Sequence, residues 1–329
     1  MNLVDIIAKN SRIYPDETAF VEVKPVTKAR KEISWGRFGE RVNRIANALR
    51  EMGVNQGDRV LLFGRNSIPW LEVYFGVLET GAWIAPLNYR FTDGDIAYCA
   101  NVSQPVVCFC DEEFAERMMT LRPNLPALNK YISMGEKAFE GMENMERLIG
   151  RTPSKPLDVT LQDEDPCGLY FTSGTTGAPK PILLTQKNLF CSGVTEAINH
   201  FWRHSDRLLM IPPLYHSAIG HLLGPMVVGA RSVLLTEAIR PQTIFETMSK
   251  EELSVVFLLV PWTMDILEAL DRGELRLKEY DLSRWRLMHM GAQPIPAVLI
   301  QRWKAYFPEM QYDTCYGLTE GSGPGRRQP

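Results

Sequence analysis

Between Thr172 and Lys180 the chain reads TSGTTGAPK, with hydroxyls at Thr172, Ser173, Thr175 and Thr176 and glycines at Gly174 and Gly177. Apolar β-like runs flank it, LYF before and PILL after, so it reads as a strand-to-strand turn at a sheet edge. Glycines accept backbone angles that let amide N–H groups converge on an anion. The hydroxyls add donors, and the Lys180 ammonium adds a compact charge suited to phosphate oxygens. Together they describe a polyphosphate cradle. A polar turn with an incidental lysine has the same composition, so the reading needs support from elsewhere. It is not a P-loop of the form G-x-x-x-x-G-K-[ST], because Ala178-Pro179 parts the glycine from the lysine and Pro181 follows.

Further candidates lie downstream. YGLTE (Tyr316–Glu320) follows the strand-like MQYDTCYG, and open α/β sheets bind ligands just past the carboxyl ends of their strands. A carboxylate there, Glu320, repels a phosphate unless a divalent cation sits between them. Read alone, YGLTE also suits a helix start capped by Thr319, and His216 in PPLYHSA also suits a packed core histidine.

The elements that must hold these residues alternate between short β-like runs and longer helical ones. Trp35, Phe38, Val42, Ile45, Ala46, Leu49 and Met52 recur at steps of three and four, with Ser34 placed to cap and Gly53 to close a helix. DRVLLFG, PVVCFCD and KYISMG read as strands, PWLEVYFGVLETG, GDIAYCANVS and EEFAERMMTL as helices. After the loop, DRLLMIPP, RSVLLTE, SVVFLLVP, WRLMHMGA and MQYDTCYG read as strands separated by helices, the spacing βαβ units need. The expected class is α/β, two doubly wound and mainly parallel sheets covered by helices. Ile149–Pro166, with three prolines and no apolar period, reads as a linker. The expected division is therefore 1–165, 166–323 and an irregular tail at 324–329.

Bulk properties exclude little but point one way. The 329 residues suffice for two lobes, and 36 Lys+Arg against 39 Asp+Glu give a net charge of -3. That balance supplies no reason for nucleic acid or an anionic membrane as partner. The basic KARKE, Lys28–Glu32, reads as a solvated surface turn. The amphipathic N-terminus carries Asp5 and Lys9 and does not read as a signal peptide, and the longest apolar run, Val255–Trp262, is too short to span a bilayer. Six scattered cysteines without CxxC spacing read as buried thiols, and a metal at Cys108-x-Cys110 is disfavoured by its buried-strand pattern. A cytoplasmic protein is expected, with self-association left open.

The loop string resembles the signature of the AMP-forming adenylating enzymes, a superfamily that includes acyl-CoA synthetases, peptide-synthetase adenylation domains and firefly luciferase. Its pattern [YF]-T-S-G-[ST]-T-G-x-P-K is matched throughout by Phe171–Lys180. PPLYHSA (Pro212–Ala218), GAQP (Gly291–Pro294) and YGLTE resemble further family segments in the same order, over about Asp5–Gly323. The resemblance implies that residues 172–177 and Lys180 cradle the phosphates of ATP, with Tyr316 and Gly317 on one side of the adenine and Gly291, Ala292 and Gln293 on the other. It implies that Thr319 contacts the α-phosphate, that Glu320 with Thr176 holds Mg²⁺, and that His216 borders an acyl pocket. The implied reaction makes an acyl-adenylate from a carboxylic acid and MgATP, then transfers the acyl group to coenzyme A. Tyr215-His216-Ser217 lacks the carboxylate that would pair with an amino-acid substrate, which favours fatty or aryl acids. Nearby AIGHLLGPMVVG and VPWTMDILEAL suit an acyl channel and ordinary core helices equally. The family's ribose-binding Thr-Gly-Asp segment, its hinge and its C-terminal lysine have no counterpart in these residues. Pro181 and Gln186 also depart from its usual pattern. Impaired adenylation by these residues alone is therefore expected, the alternative being a protein that binds nucleotide or acyl group without turnover.

Overall fold

The structure, a computed structural model, describes residues 2–172, 177–216, 219–321 and 323–327. The chain condenses into two units. One comprises Met1–Glu17, Ser34–Phe190 and Leu214–Ser217, the other Thr18–Ile33, Cys191–Pro213 and Ala218–Pro329.

Among the described residues the first unit holds a seven-stranded sheet. Its order is Glu143–Asn144, Lys130–Ser133, Val107–Cys110, Arg59–Phe63, Trp83–Leu87, Pro166–Thr172 and Lys180–Thr185. The pairings are parallel except the last, which is antiparallel. The helix Trp35–Glu51 forms where its spacing predicts. Ser34 Oγ accepts from the Arg37 amide at 3.3 Å, Trp35, Phe38, Val42, Ile45, Ala46 and Leu49 are buried, and Gly53 closes the end at φ 83°. Beside it, Ile68–Glu79 is buried on all sides, as an almost uniformly apolar helix must be. Gly76 lets the two helices meet, since a Cβ there would lie 2.6 Å from Ile45 Cγ2. The acid buried with that helix is matched: Glu72 accepts from Arg41 Nε at 2.6 Å and Nη2 at 2.9 Å.

The second unit holds, among the described residues, an eight-stranded sheet. Its order is Gly323–Arg327, Gln311–Leu318, Leu287–Gly291, Val255–Leu259, Arg207–Met210, Arg231–Leu235, Thr18–Lys24 and Ala29–Ser34. The strands from Gln311–Leu318 to Thr18–Lys24 pair in parallel, and Gly323–Arg327 is antiparallel to its neighbour. Val233, Val256, Met288 and Met290 from the sheet pack with Phe245 and Trp303 from helices Pro241–Lys250 and Ala297–Tyr306.

The α/β class with two mainly parallel sheets is as expected, but the division of the chain differs. Pro166–Thr172 and Lys180–Thr185 belong to the first sheet, so the expected boundary at residue 165 falls inside the first unit. Thr18–Ile33 contributes two strands to the second unit. Residues 323–327 are a strand where an irregular tail was expected. KARKE is a turn only at its start: Lys28 has φ 54°, then Ala29–Ser34 is strand, with Arg30 Nε 2.7 Å from Glu251. Cys99, Cys108, Cys110 and Cys167 are buried thiols as expected, whereas Cys191 is exposed and Cys315 half-buried. No helix among the described residues is long and apolar enough to cross a membrane.

Candidate functional site

The phosphate-loop candidate lies in sequence between two antiparallel strands at the edge of the first unit's sheet. Phe171 pairs with Pro181 and Thr172 with Lys180, so the described residues on either side of the segment are held by the sheet. Below it Tyr170 Oη lies 2.6 Å from Tyr74 Oη in a buried pair, and burial pushes both phenols up. Thr172 is half-buried, and Gly177 and Lys180 are exposed. Gly177 has φ 89° and nothing within 4 Å of a Cβ built on it, so conformation rather than crowding selects glycine there. Ser173, Gly174, Thr175 and Thr176 lie outside the described residues.

His216 also belongs to the first unit, held by the short segment before it. The Leu214 amide donates to Asn66 Oδ1 at 2.8 Å, and Tyr215 stands edge-on to Tyr89 at 5.5 Å and to His216 at 5.0 Å. Burial pushes the Tyr215 phenol up to about 12. Asn66 and Tyr89 were not singled out from sequence, since neither sits in a recognisable motif.

In the second unit, Leu287–Gly291 and Gln311–Leu318 run parallel with Met290 opposite Thr314, and both release their chains at the same sheet end. A cleft of about 980 Å³ opens there, lined by Ala292, Gln293, Tyr316 and Gly317 together with Lys304, Tyr312, Thr314 and Cys315. Four of the sequence candidates are thus gathered around one cavity. Ala292 has φ 69°, an uncommon conformation for a residue with a Cβ. The Tyr316 side is open to solvent at 62% exposure, which leaves an aromatic face free to stack. Gly291 is buried and packs against the neighbouring strand, where a Cβ would stand 2.7 Å from Cys315 Sγ. Thr319 is buried and Glu320 exposed, in a short turn just past the strand.

Sequence reasoning missed a polar cluster that reaches the cleft through Cys315. Glu196 and His200 share a face of the helix Gln186–Asn199 and its end, His221 comes from Ile219–Val227, and His289, Asp313 and Cys315 from the two strands. Glu196, His200, His289 and Asp313 are all at most 5% exposed. His200 sits between the carboxylates, Nδ1 2.7 Å from Glu196 and Nε2 2.8 Å from Asp313. His289 Nδ1 is 2.8 Å from the same Asp313 oxygen, and His221 Nδ1 is 2.5 Å from Glu196. Burial would lower His200, but its bonds to Asp313 and Glu196 outweigh that and raise it to about 9. For His289 burial prevails, bringing it down to about 4. Only Glu196 and His200, four apart, carried a sequence signal.

Two mainly parallel sheets covered by helices, with a cleft at the strand ends of the second, are an α/β arrangement shared with known enzymes. The chain belongs to the AMP-binding enzyme family, which matches residues 7–328. A feruloyl-CoA synthase from Amycolatopsis sp is 28% identical over 96% of this chain and 59% of its own length. A long-chain-fatty-acid–CoA ligase from Thermus thermophilus is 27% identical over 88% of this chain and 52% of its own. The structure of an anthranilate CoA ligase in complex with anthranoyl-AMP superposes with a TM-score of 0.90 at 26% identity, over 98% of this chain and 61% of that one. A long-chain-fatty-acid–CoA ligase from Archaeoglobus fulgidus has the same fold, with a TM-score of 0.91 at 18% identity, over 100% of this chain and 66% of that one. The chain therefore spans little more than half the length of the curated relatives it matches.

Proposed function

We propose that this chain is the nucleotide-handling part of an AMP-forming acid–thiol ligase that activates an aryl or fatty acid and passes it to coenzyme A. The cleft that gathers Ala292, Gln293, Tyr316 and Gly317 carries the reading. It has the size and mixed lining of a small-molecule site, and Tyr316 offers adenine a stacking face. Relatives named for feruloyl, anthranilate and long-chain fatty substrates support the acid class. A cytoplasmic setting suits soluble substrates of this kind.

In this reading the amides and hydroxyls of residues 172–177 and the Lys180 ammonium hold the phosphates of ATP, while Thr319 contacts the α-phosphate. The acid's carboxylate attacks the α-phosphorus, pyrophosphate departs, and the coenzyme A thiol then displaces AMP from the acyl-adenylate. Alignment and charge neutralisation supply most of the acceleration, since phosphorus transfer asks little covalent chemistry of a protein. The exposed carboxylate of Glu320 is a hard oxygen donor suited to magnesium, with Thr176 as its assigned companion. Magnesium, when bound, neutralises phosphate charge. His216 borders the acyl group.

Calorimetric titration with MgATP tests the assignment. Tyr316→Ala should weaken binding about tenfold, the value of one lost base–aromatic stack. Lys180→Ala should weaken ATP much more than AMP. Unchanged ATP affinity in both variants would overturn the reading, as would turnover in the full-length ligase that yields ADP instead of AMP and pyrophosphate.

A further inference from the structure

We infer that His221, His289 and Cys315 form a binding site for one zinc-class transition-metal ion, built into the second unit beside the strand-end cleft. Their three donor atoms lie within 4.8 Å of one another. Two imidazoles and a thiolate are the borderline-soft set that Zn²⁺ selects, and three protein ligands leave one coordination position open.

The surroundings are built for ligation. A metal-binding histidine normally turns its other ring nitrogen to a carboxylate, which fixes the ring and raises its basicity. For His289 that bond is in place, with Asp313 2.8 Å from Nδ1; Glu196 Oε1 approaches His221 Nδ1 to 2.5 Å without forming a hydrogen bond, so this ring nitrogen is buried without a hydrogen-bond partner. The His289 ring keeps Nε2 for another partner. His289 Nε2 is buried with no hydrogen-bond partner, in a residue only 2% exposed. An orphaned ring nitrogen at that depth costs free energy unless something fills its lone pair. His200 is no rival ligand, because Glu196 and Asp313 already engage both its nitrogens. It locks the two carboxylates in place behind the ligands. Gly291 completes the arrangement by giving Cys315 Sγ room that a Cβ would take, 2.7 Å away.

On binding, the Cys315 thiol gives its proton to solvent and the thiolate joins the ion. The ion ties the strands Leu287–Gly291 and Gln311–Leu318 to the helix Ile219–Val227, fixing the strand ends that carry Ala292 and Tyr316. It is separate from the magnesium assigned to Glu320, and it stands whether or not the nucleotide assignment holds.

Cobalt is the probe. Addition of Co²⁺ to the metal-free protein should give the visible bands of a tetrahedral ion and a thiolate charge-transfer band, both saturating at one equivalent. Cys315→Ser should abolish the charge-transfer band, while Cys191→Ser, at an exposed cysteine, should leave it unchanged. Asp313→Asn should keep the band but weaken affinity by about 10–100-fold, the usual effect of losing a carboxylate behind a ligating histidine. Near-ultraviolet circular dichroism checks that each variant is folded. X-ray absorption of the zinc-loaded unvaried protein needs no variant and should show one sulfur at about 2.3 Å and nitrogens at about 2.0 Å. A metal shell without sulfur, a charge-transfer band that survives in folded Cys315→Ser, or no stoichiometric binding by the folded unvaried protein would overturn the site.

Discussion

Glu79 ends a helix that is otherwise apolar, and its charge state should set how the first unit responds to pH. The residue is 9% exposed, accepts the Leu157 amide at 3.1 Å, and lines a cavity of about 510 Å³. Burial pushes its carboxyl from 4.5 up to about 7, the Leu157 bond opposing only in part. A carboxyl raised by folding favours the protonated native state. Its stability contribution is therefore fully present below the unfolded-chain value and is lost as pH rises through about 7. At about 1.4 kcal/mol per pH unit, that gap caps the penalty near 3 kcal/mol, and water entering the cavity trims it to about 1–2 kcal/mol. Glu79→Gln removes the charge and keeps an acceptor for Leu157. In urea unfolding followed by circular dichroism, the glutamine protein should exceed the parent by about 1–2 kcal/mol near pH 8 and match it near pH 5. A difference between the two proteins that is flat across this range would refute the reasoning.

Further outcomes follow from packing. Arg41→Ala leaves the Glu72 carboxylate buried without its bidentate partner and should cost about 3–5 kcal/mol in denaturant unfolding. Arg41→Met combined with Glu72→Leu should recover most of that loss; failure to recover would mean the pair contributes more than cancelled desolvation. Gly291→Ala forces a Cβ toward Cys315 Sγ and should cost about 1–3 kcal/mol. Adding Cys315→Ala to it should return part of the loss in a double-mutant cycle run without metal, and strict additivity would show that the contact yields.

The parts of the fold visible in the sequence are those whose cause is local. The helix at Trp35–Glu51 declares itself by spacing and a capping serine, and the loop at 172–180 by glycines between two apolar runs. Trp83–Leu87 is not among the strands read from the sequence, and its Pro86, a residue that argues against a central strand, pairs with Leu62 in the sheet. The proline-bearing stretch after Ile149 looked like a linker because its hydrogen bonds come from elsewhere. Asn43 Nδ2 donates to Ser154 O at 2.9 Å, Asn47 Nδ2 to Lys155 O at 2.8 Å, and Arg44 to Thr152 O. Polar side chains on the helix thus strap an irregular segment to the first unit, and no local period in that segment could announce it. The cleft was visible at Ala292–Gln293 and Tyr316–Gly317, but Lys304 joins it from a helix face with no motif. The histidine cluster draws on positions from 196 to 315, which only the folded sheet brings together.

The strand Thr18–Lys24 has a consequence for how the protein is made. Its parallel partner is Arg231–Leu235, with Phe20 opposite Ser232, more than two hundred residues further along. At about 5–20 residues per second of synthesis, the early strand waits roughly 10–40 s on the ribosome before its neighbour emerges. For that interval Phe20 and Val21, both fully covered in the finished protein, have no native place to go. A nascent chain arrested before residue 231 should therefore be a better chaperone client than the completed one.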